Sequence, residues 1–213
     1  MIDWHGILAV FAAFFVVAAS PGPATLALAT VSAASGRRSG TIFGAGLAIG
    51  LGFWGLVAAT GLGAILQSTG VLLTGLKIAG GLYLLWLAYG SARSAWRPSQ
   101  VERDPMLPQK DNWFWRGLVL NLSNPKAVFA WMAALSVGLG GDDGILGLGI
   151  ATVGCALIGL IIYAVYAVAF SFQPVMRGYA EFKCWIEGVT AALFVVAGLA
   201  LIRSALTRSA APP

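Results

Sequence analysis

The amino-acid sequence predicts an all-α polytopic membrane protein of six transmembrane helices, arranged as a 3+3 inverted repeat with helices one and four broken. Three observations predict it. Mean hydropathy is +0.85, with 59% hydrophobic and only 10% charged residues, whereas soluble domains carry about 25% charged residues. Six apolar segments approach the roughly 20 residues that a helix needs to cross a bilayer, and within 213 residues they leave no room for a soluble domain. Two proline-containing interruptions lie about half the chain apart, at Pro21-Gly22-Pro23 and at Asn124-Pro125.

Taken in order, the first crossing runs from about Gly6 to Ala34 and is broken at Ser20-Pro21-Gly22-Pro23. The prolines remove backbone donors and the glycine adds conformational freedom. The stretch from Ile7 to Ala19 resembles a secretory signal, but Asp3 and His5 precede it with no Lys or Arg, so it is expected to be retained. Arg37 and Arg38 follow, and Thr41 to Leu66 forms the second crossing, where Gly44, Gly46, Gly50, Gly52 and Gly55 suit close helix contact. After a turn at Gln67 to Gly70, Val71 to Ala92 forms the third, with Tyr83, Trp86 and Tyr89 toward the headgroups.

A polar connection over 97–112 separates a first three-helix unit, 1–96, from a second, 113–213, within one transmembrane domain, 1–213. Crossing four begins near Trp113 or Gly117, reaches about Leu139, and is interrupted at Asn121-Leu122-Ser123-Asn124-Pro125-Lys126. Crossing five spans Ile145 to about Phe170. A mixed connection with Arg177, Glu181, Lys183 and Glu187 leads to crossing six, Gly188 to Ile202, extended back at most to Cys184. Cys155 and Cys184 belong to no metal-ligand pattern and read as packing residues.

The formal charge of +5 orients the chain rather than marking a nucleic-acid partner. Arg37, Arg38, Arg93, Arg97, Arg103, Lys110, Arg116, Arg177 and Lys183 share the odd-numbered connections, against Arg203 and Arg208 on the opposite face. Odd connections are therefore expected in the cytoplasm and both termini outside.

A broken crossing puts free backbone donors and carbonyls at a depth where lipid cannot satisfy them. Helix-start donors suit a carboxylate and helix-end carbonyls suit an ammonium, the two groups of an amino acid. Three crossings per unit is an odd number, so successive units enter the membrane in opposite directions, as in many alternating-access transporters. The candidate substrate or gating residues are Ser20, Pro21, Gly22, Pro23, Asn121, Ser123, Asn124, Pro125 and Lys126. Each break also has a purely structural reading as a kink. Lys126 either holds a substrate carboxylate or snorkels to the cytoplasmic headgroups. Tyr163 and Tyr166 either line a polar path or pack, and Lys77 serves either coupling or a helix contact.

No crossing contains an obvious Asp or Glu, so the coupling ion, proton or sodium, stays open. There is no GxxxxGK[ST] run to support direct ATP drive. With one histidine and no clustered acid-base set, no catalytic residue, metal or cofactor is assigned.

Ser20-Pro21-Gly22-Pro23, Gly44 to Gly50, Lys77-Ile78-Ala79-Gly80-Gly81-Leu82-Tyr83-Leu84 and Asn121-Leu122-Ser123-Asn124-Pro125-Lys126-Ala127, in this order and spacing, resemble the LysE/RhtB amino-acid exporter family. The resemblance implies a six-helix exporter of amino acids or derivatives in the bacterial inner membrane, driven by an ion gradient. Ala24 stands where an acidic residue often follows the family's first break, crossing five lacks a carboxylate, and the run after Trp131 departs from the usual Pro-Gln-Phe pattern. Small neutral or apolar substrates therefore suit it better than lysine or arginine. The expected function is secondary active export of an amino acid or small zwitterionic derivative by alternating access. An intramembrane enzyme acting on an apolar or lipid substrate and a membrane scaffold are the alternatives. Expected partners are the zwitterion, membrane lipids and a second copy in a homodimer.

Overall fold

The computed structural model describes residues 3–66, 70–96, 112–138 and 144–209, and these are helical apart from short joints. Helix α1, Trp4–Ala19, starts where the Asp3 side chain accepts a hydrogen bond from the His5 N–H at 3.0 Å, an N-cap. Helix α2 covers Pro23–Leu66 but is interrupted at Gly36, with φ 81° and ψ 172°, a backbone region that an L side chain resists. In a straight helix residues 32 and 40 would stand about 12 Å apart, yet a Cβ added to Gly40 would strike the Ser32 side chain. The chain therefore doubles back at Gly36, with Arg37 and Arg38 exposed at the bend. The second crossing begins at this reversal rather than at Thr41.

Helix α3 is Gly70–Ala95, α4 Trp113–Leu122, α5 Pro125–Gly138, α6 Gly144–Ala169 and α7 Gln173–Ser209. Both expected breaks are present, between α1 and α2 and between α4 and α5. Of the expected connection over 97–112, residues 97–111 lie outside the described residues; its last residue, Asn112, precedes α4 with a left-handed φ of 82°.

The last crossing differs from expectation. Arg177, Glu181, Lys183 and Glu187 do not form a connection but lie on α7, a continuous helix of 37 residues. Lys183 and Glu187 are one turn apart and so share a helix face. That face meets α3: the Lys183 Nζ donates to the Ser94 carbonyl, and the Ser94 Oγ donates to Glu187 Oε1 at 3.0 Å. Lys183 and Glu187, which lowered the local hydropathy, are thus hydrogen-bonded within a helix pair, and Arg177 and Glu181 are exposed.

By length and composition, Ile145–Ala169 and Gln173–Thr207 can cross a membrane, as can the apolar run Pro23–Gly61, which the reversal at Gly36 divides into two arms, and Trp4–Ala19 and Pro125–Leu135 are shorter apolar helices beside the breaks. Leu8, Phe15, Leu56, Leu146, Ile161 and Val196 face outward, an apolar surface that suits lipid and not water. The core runs through the centre, where the rings of Phe14 of α1 and Trp131 of α5 pack at a tilt of 52° with centroids 4.6 Å apart and the Trp131 indole donates to the Leu51 carbonyl at 2.8 Å. Helix α1 packs on α5 and α6, α2 on α4 and α6, and α3 on α7 and α5. Helices α2 and α4 touch backbone to backbone: a Cβ at Gly46 would collide with the Phe114 carbonyl, and one at Gly117 with the Phe43 carbonyl. Gly50 is similarly tight against Asn121, whereas Gly52 meets open space and has no such role.

Candidate functional site at the two breaks

Each break exposes the end of a half-helix, and side chains from the opposite half of the chain satisfy it. Ser20 ends α1 in an extended conformation, and its hydroxyl donates to the Val17 carbonyl at 2.7 Å. The Ala19 carbonyl accepts from the Tyr166 hydroxyl at 2.7 Å. The remaining acceptors converge on one ammonium. Lys126 Nζ donates to the Ser20 carbonyl at 2.7 Å, the Ser20 Oγ at 2.6 Å and the Pro21 carbonyl at 3.2 Å. A cation against the carbonyl end of a helix is the arrangement that the helix dipole favours.

The second break is held by amides. Asn124 caps α5, its Oδ1 accepting the Lys126 N–H at 3.0 Å. Its Nδ2 reaches the Oδ1 of Asn121 at 3.4 Å. Asn121, fully buried, donates to the Leu47 carbonyl at 2.6 Å and to the Tyr163 hydroxyl at 3.2 Å. The Leu122 carbonyl, freed by the break, accepts from the Trp54 indole at 3.2 Å. In physical terms the two breaks and the C-terminal part of α6 form one hydrogen-bonded centre.

Gly22 is packed against this centre: a Cβ there would lie 2.9 Å from Lys126 Nζ. Gly22, Asn124 and Lys126 line two spaces at once. One, of about 20 Å³, is bounded by Phe14, Leu51, Asn121 and Tyr163, room for about one water molecule. The other, a cleft of about 470 Å³, extends past Pro21, Pro23, Tyr83, Trp86 and Ser94 to Glu187, a volume within the usual range for small-molecule sites. The three residues therefore form the wall between a cleft and a small inner space.

Of the sequence candidates, Ser20, Pro21, Gly22, Asn121, Asn124, Lys126, Tyr163 and Tyr166 meet here, and Pro23 and Pro125 line the cleft. Ser123 is exposed and Lys77 is buried in α3, and neither lines the two spaces. Snorkelling does not describe Lys126: it is buried, with its ammonium held by the first break.

Glu187 was missed. Contrary to the expectation that no crossing carries a carboxylate, it is 3% exposed on α7, a helix long and apolar enough to span. Its one sequence signal is the four-residue spacing from Lys183, which marks a shared face only once residues 183–187 are taken as helical. The indoles of Trp54 and Trp131 were missed too, because their partners are backbone carbonyls distant in sequence.

Helical bundling, a lipid-suited outer surface and a polar centre at two broken helices define a polytopic helical membrane protein, and its family makes it a transporter. The comparison with known proteins names it: the family of LysE type translocators matches residues 15–205, and the chain belongs to that family. It is 29% identical over 205 residues to the uncharacterized membrane protein YahN of Escherichia coli K12, covering 96% of this chain and 92% of the relative. It is 29% identical over 194 residues to a threonine efflux protein of the same organism, and 30% identical over 188 residues to one of Salmonella typhi, each covering 87% of this chain and 91% of the relative. No solved structure matches it.

Proposed function

We propose that this chain is a secondary active exporter of an amino acid or small zwitterionic derivative, working by alternating access at the two breaks. The observation that carries the reading is the Lys126 ammonium, buried and held by neutral oxygens of Ser20 and Pro21 at the wall between the two spaces. A substrate carboxylate arriving in the cleft competes with those oxygens for the ammonium, which loosens the joint between the half-helices and permits the wall to move.

The 3+3 inverted repeat receives support from the packing. If α1 and the arm of α2 before Gly36 correspond to α4 and α5, the arm after Gly36 to α6, and α3 to α7, then the contact of α2 with α4 at Gly46 has its counterpart in that of α1 with α6, and α3 with α7 is self-paired. Arg93, at the end of α3, borders the cleft; with odd connections in the cytoplasm, the cleft faces inward and both termini lie outside the inner membrane. Export against a gradient then draws on proton or sodium flow, and a homodimer suits the glycine-bearing outer surface.

The relatives named threonine efflux proteins make L-threonine the first substrate to test. Purified protein in sealed liposomes should show counterflow for one or more of a panel of neutral amino acids, with a rate that depends on an imposed proton or sodium gradient. A well-folded protein that binds and moves none of them would favour a scaffold instead.

A further inference from the structure

Three charged residues line the cleft: Arg93, which is exposed, and Lys126 and Glu187, which are buried and do not pair. Lys126 spends its three hydrogen bonds on neutral oxygens. Glu187, on α7, receives one hydrogen bond, from the Ser94 hydroxyl, whose oxygen also accepts from the Lys183 Nζ at 3.2 Å. Both are buried, and both line the same cleft. Among the described residues neither forms an ion pair. Buried charges with no direct ion pair are costly in a membrane helix bundle, and a ligand of opposite charge can complete them.

We propose that Glu187 receives the ammonium group of the transported amino acid while Lys126 receives its carboxylate, so that the cleft selects a zwitterion by its two charges at once. This rests on the export reading above. The geometry supports the division of labour: the ammonium site sits on α7, anchored through Ser94 to α3, and the carboxylate site sits on the joint between the two breaks. A ligand spanning both ties the α3 and α7 pair to the broken helices. The side chain of the substrate is then left to the apolar and aromatic wall of Leu26, Tyr83, Trp86 and Leu87, which accords with a neutral or apolar amino acid.

The test uses the full chain, in detergent for binding and in liposomes for counterflow. The probes are L-threonine, L-alanine and L-leucine, each beside its amide, which lacks the carboxylate, and its N-acetyl derivative, which lacks the ammonium. The parent protein should bind at least one free amino acid about tenfold or more tighter than either derivative, the usual scale for a charged hydrogen bond. Glu187→Gln keeps the side-chain length and the acceptor for Ser94; it should lose the preference over the N-acetyl derivative and keep the preference over the amide. Glu187→Asp should restore part of the lost preference. A parent protein that binds the N-acetyl derivative as tightly as the amino acid overturns the proposal with no variant needed. So does a Glu187→Gln protein with parental discrimination and counterflow, and in both cases export itself stands. A parent protein that neither binds nor moves any of the three amino acids overturns export and this proposal together.

Discussion

The ammonium of Lys126 lies 2.7 Å from the carbonyl oxygen of Ser20, so a side chain that follows the second break closes the end of the helix before the first. Residues 106 positions apart in sequence thus form a single joint. A joint built this way responds to whatever competes for the ammonium.

Replacing Lys126 with methionine keeps much of the stem and removes the charge. It leaves the Ser20 and Pro21 carbonyls without their donor, a loss of about 1 to 3 kcal/mol in stability, which lowers the melting temperature without abolishing membrane insertion. Initial transport rate should fall at least about tenfold. A Lys126→Met protein with parental rate and affinity excludes the direct role; loss of yield and melting transition together would point to a structural role alone.

Gly22→Ala tests the joint without touching its charge. The new methyl group would lie 2.9 Å from Lys126 Nζ and 3.1 Å from its Cδ, so the flexible lysine end has to move. Transport should fall severalfold while yield and melting temperature stay near those of the parent. Parental transport would show that the position of the ammonium does not matter.

Asn121→Leu is nearly equal in volume but removes the links to Leu47, Tyr163 and Asn124. The expected cost is about 1 to 3 kcal/mol, read as a lower melting temperature in detergent. Ser123→Ala, at an exposed position in the same break, should change stability by less than about 0.5 kcal/mol. Equal effects from the two would contradict the buried amide centre.

Gly46→Val drives a side chain into the Phe114 carbonyl and should separate α2 from α4, costing about 1 to 3 kcal/mol or more. Gly52→Ala meets open space and should be neutral or slightly stabilising. Monodispersity and thermal melting of the two variants distinguish backbone contact from a general need for glycine in α2.

Alkaline phosphatase fused after Pro213 should be active, and green fluorescent protein fused there should stay dark, because both termini are expected outside. The opposite pair of results, with normal insertion, would reverse the orientation.

Hydropathy and proline placement were enough to read the helical class and both breaks, because lipid permits few backbone solutions and Pro21, Pro23 and Pro125 cannot continue a ladder of helix hydrogen bonds. The family was legible in the same runs, since Ser20 to Pro23 and Asn121 to Ala127 keep their order and spacing. What composition concealed was the start of α7, where Lys183 and Glu187 lower hydropathy yet are satisfied against Ser94 of α3. Only the tertiary structure decided that Lys126 turns inward to Ser20 and that Glu187 shares its cleft. Local sequence records which groups a helix leaves unsatisfied, but the partner that satisfies them is set by how distant helices pack, and that pairing has no local signature.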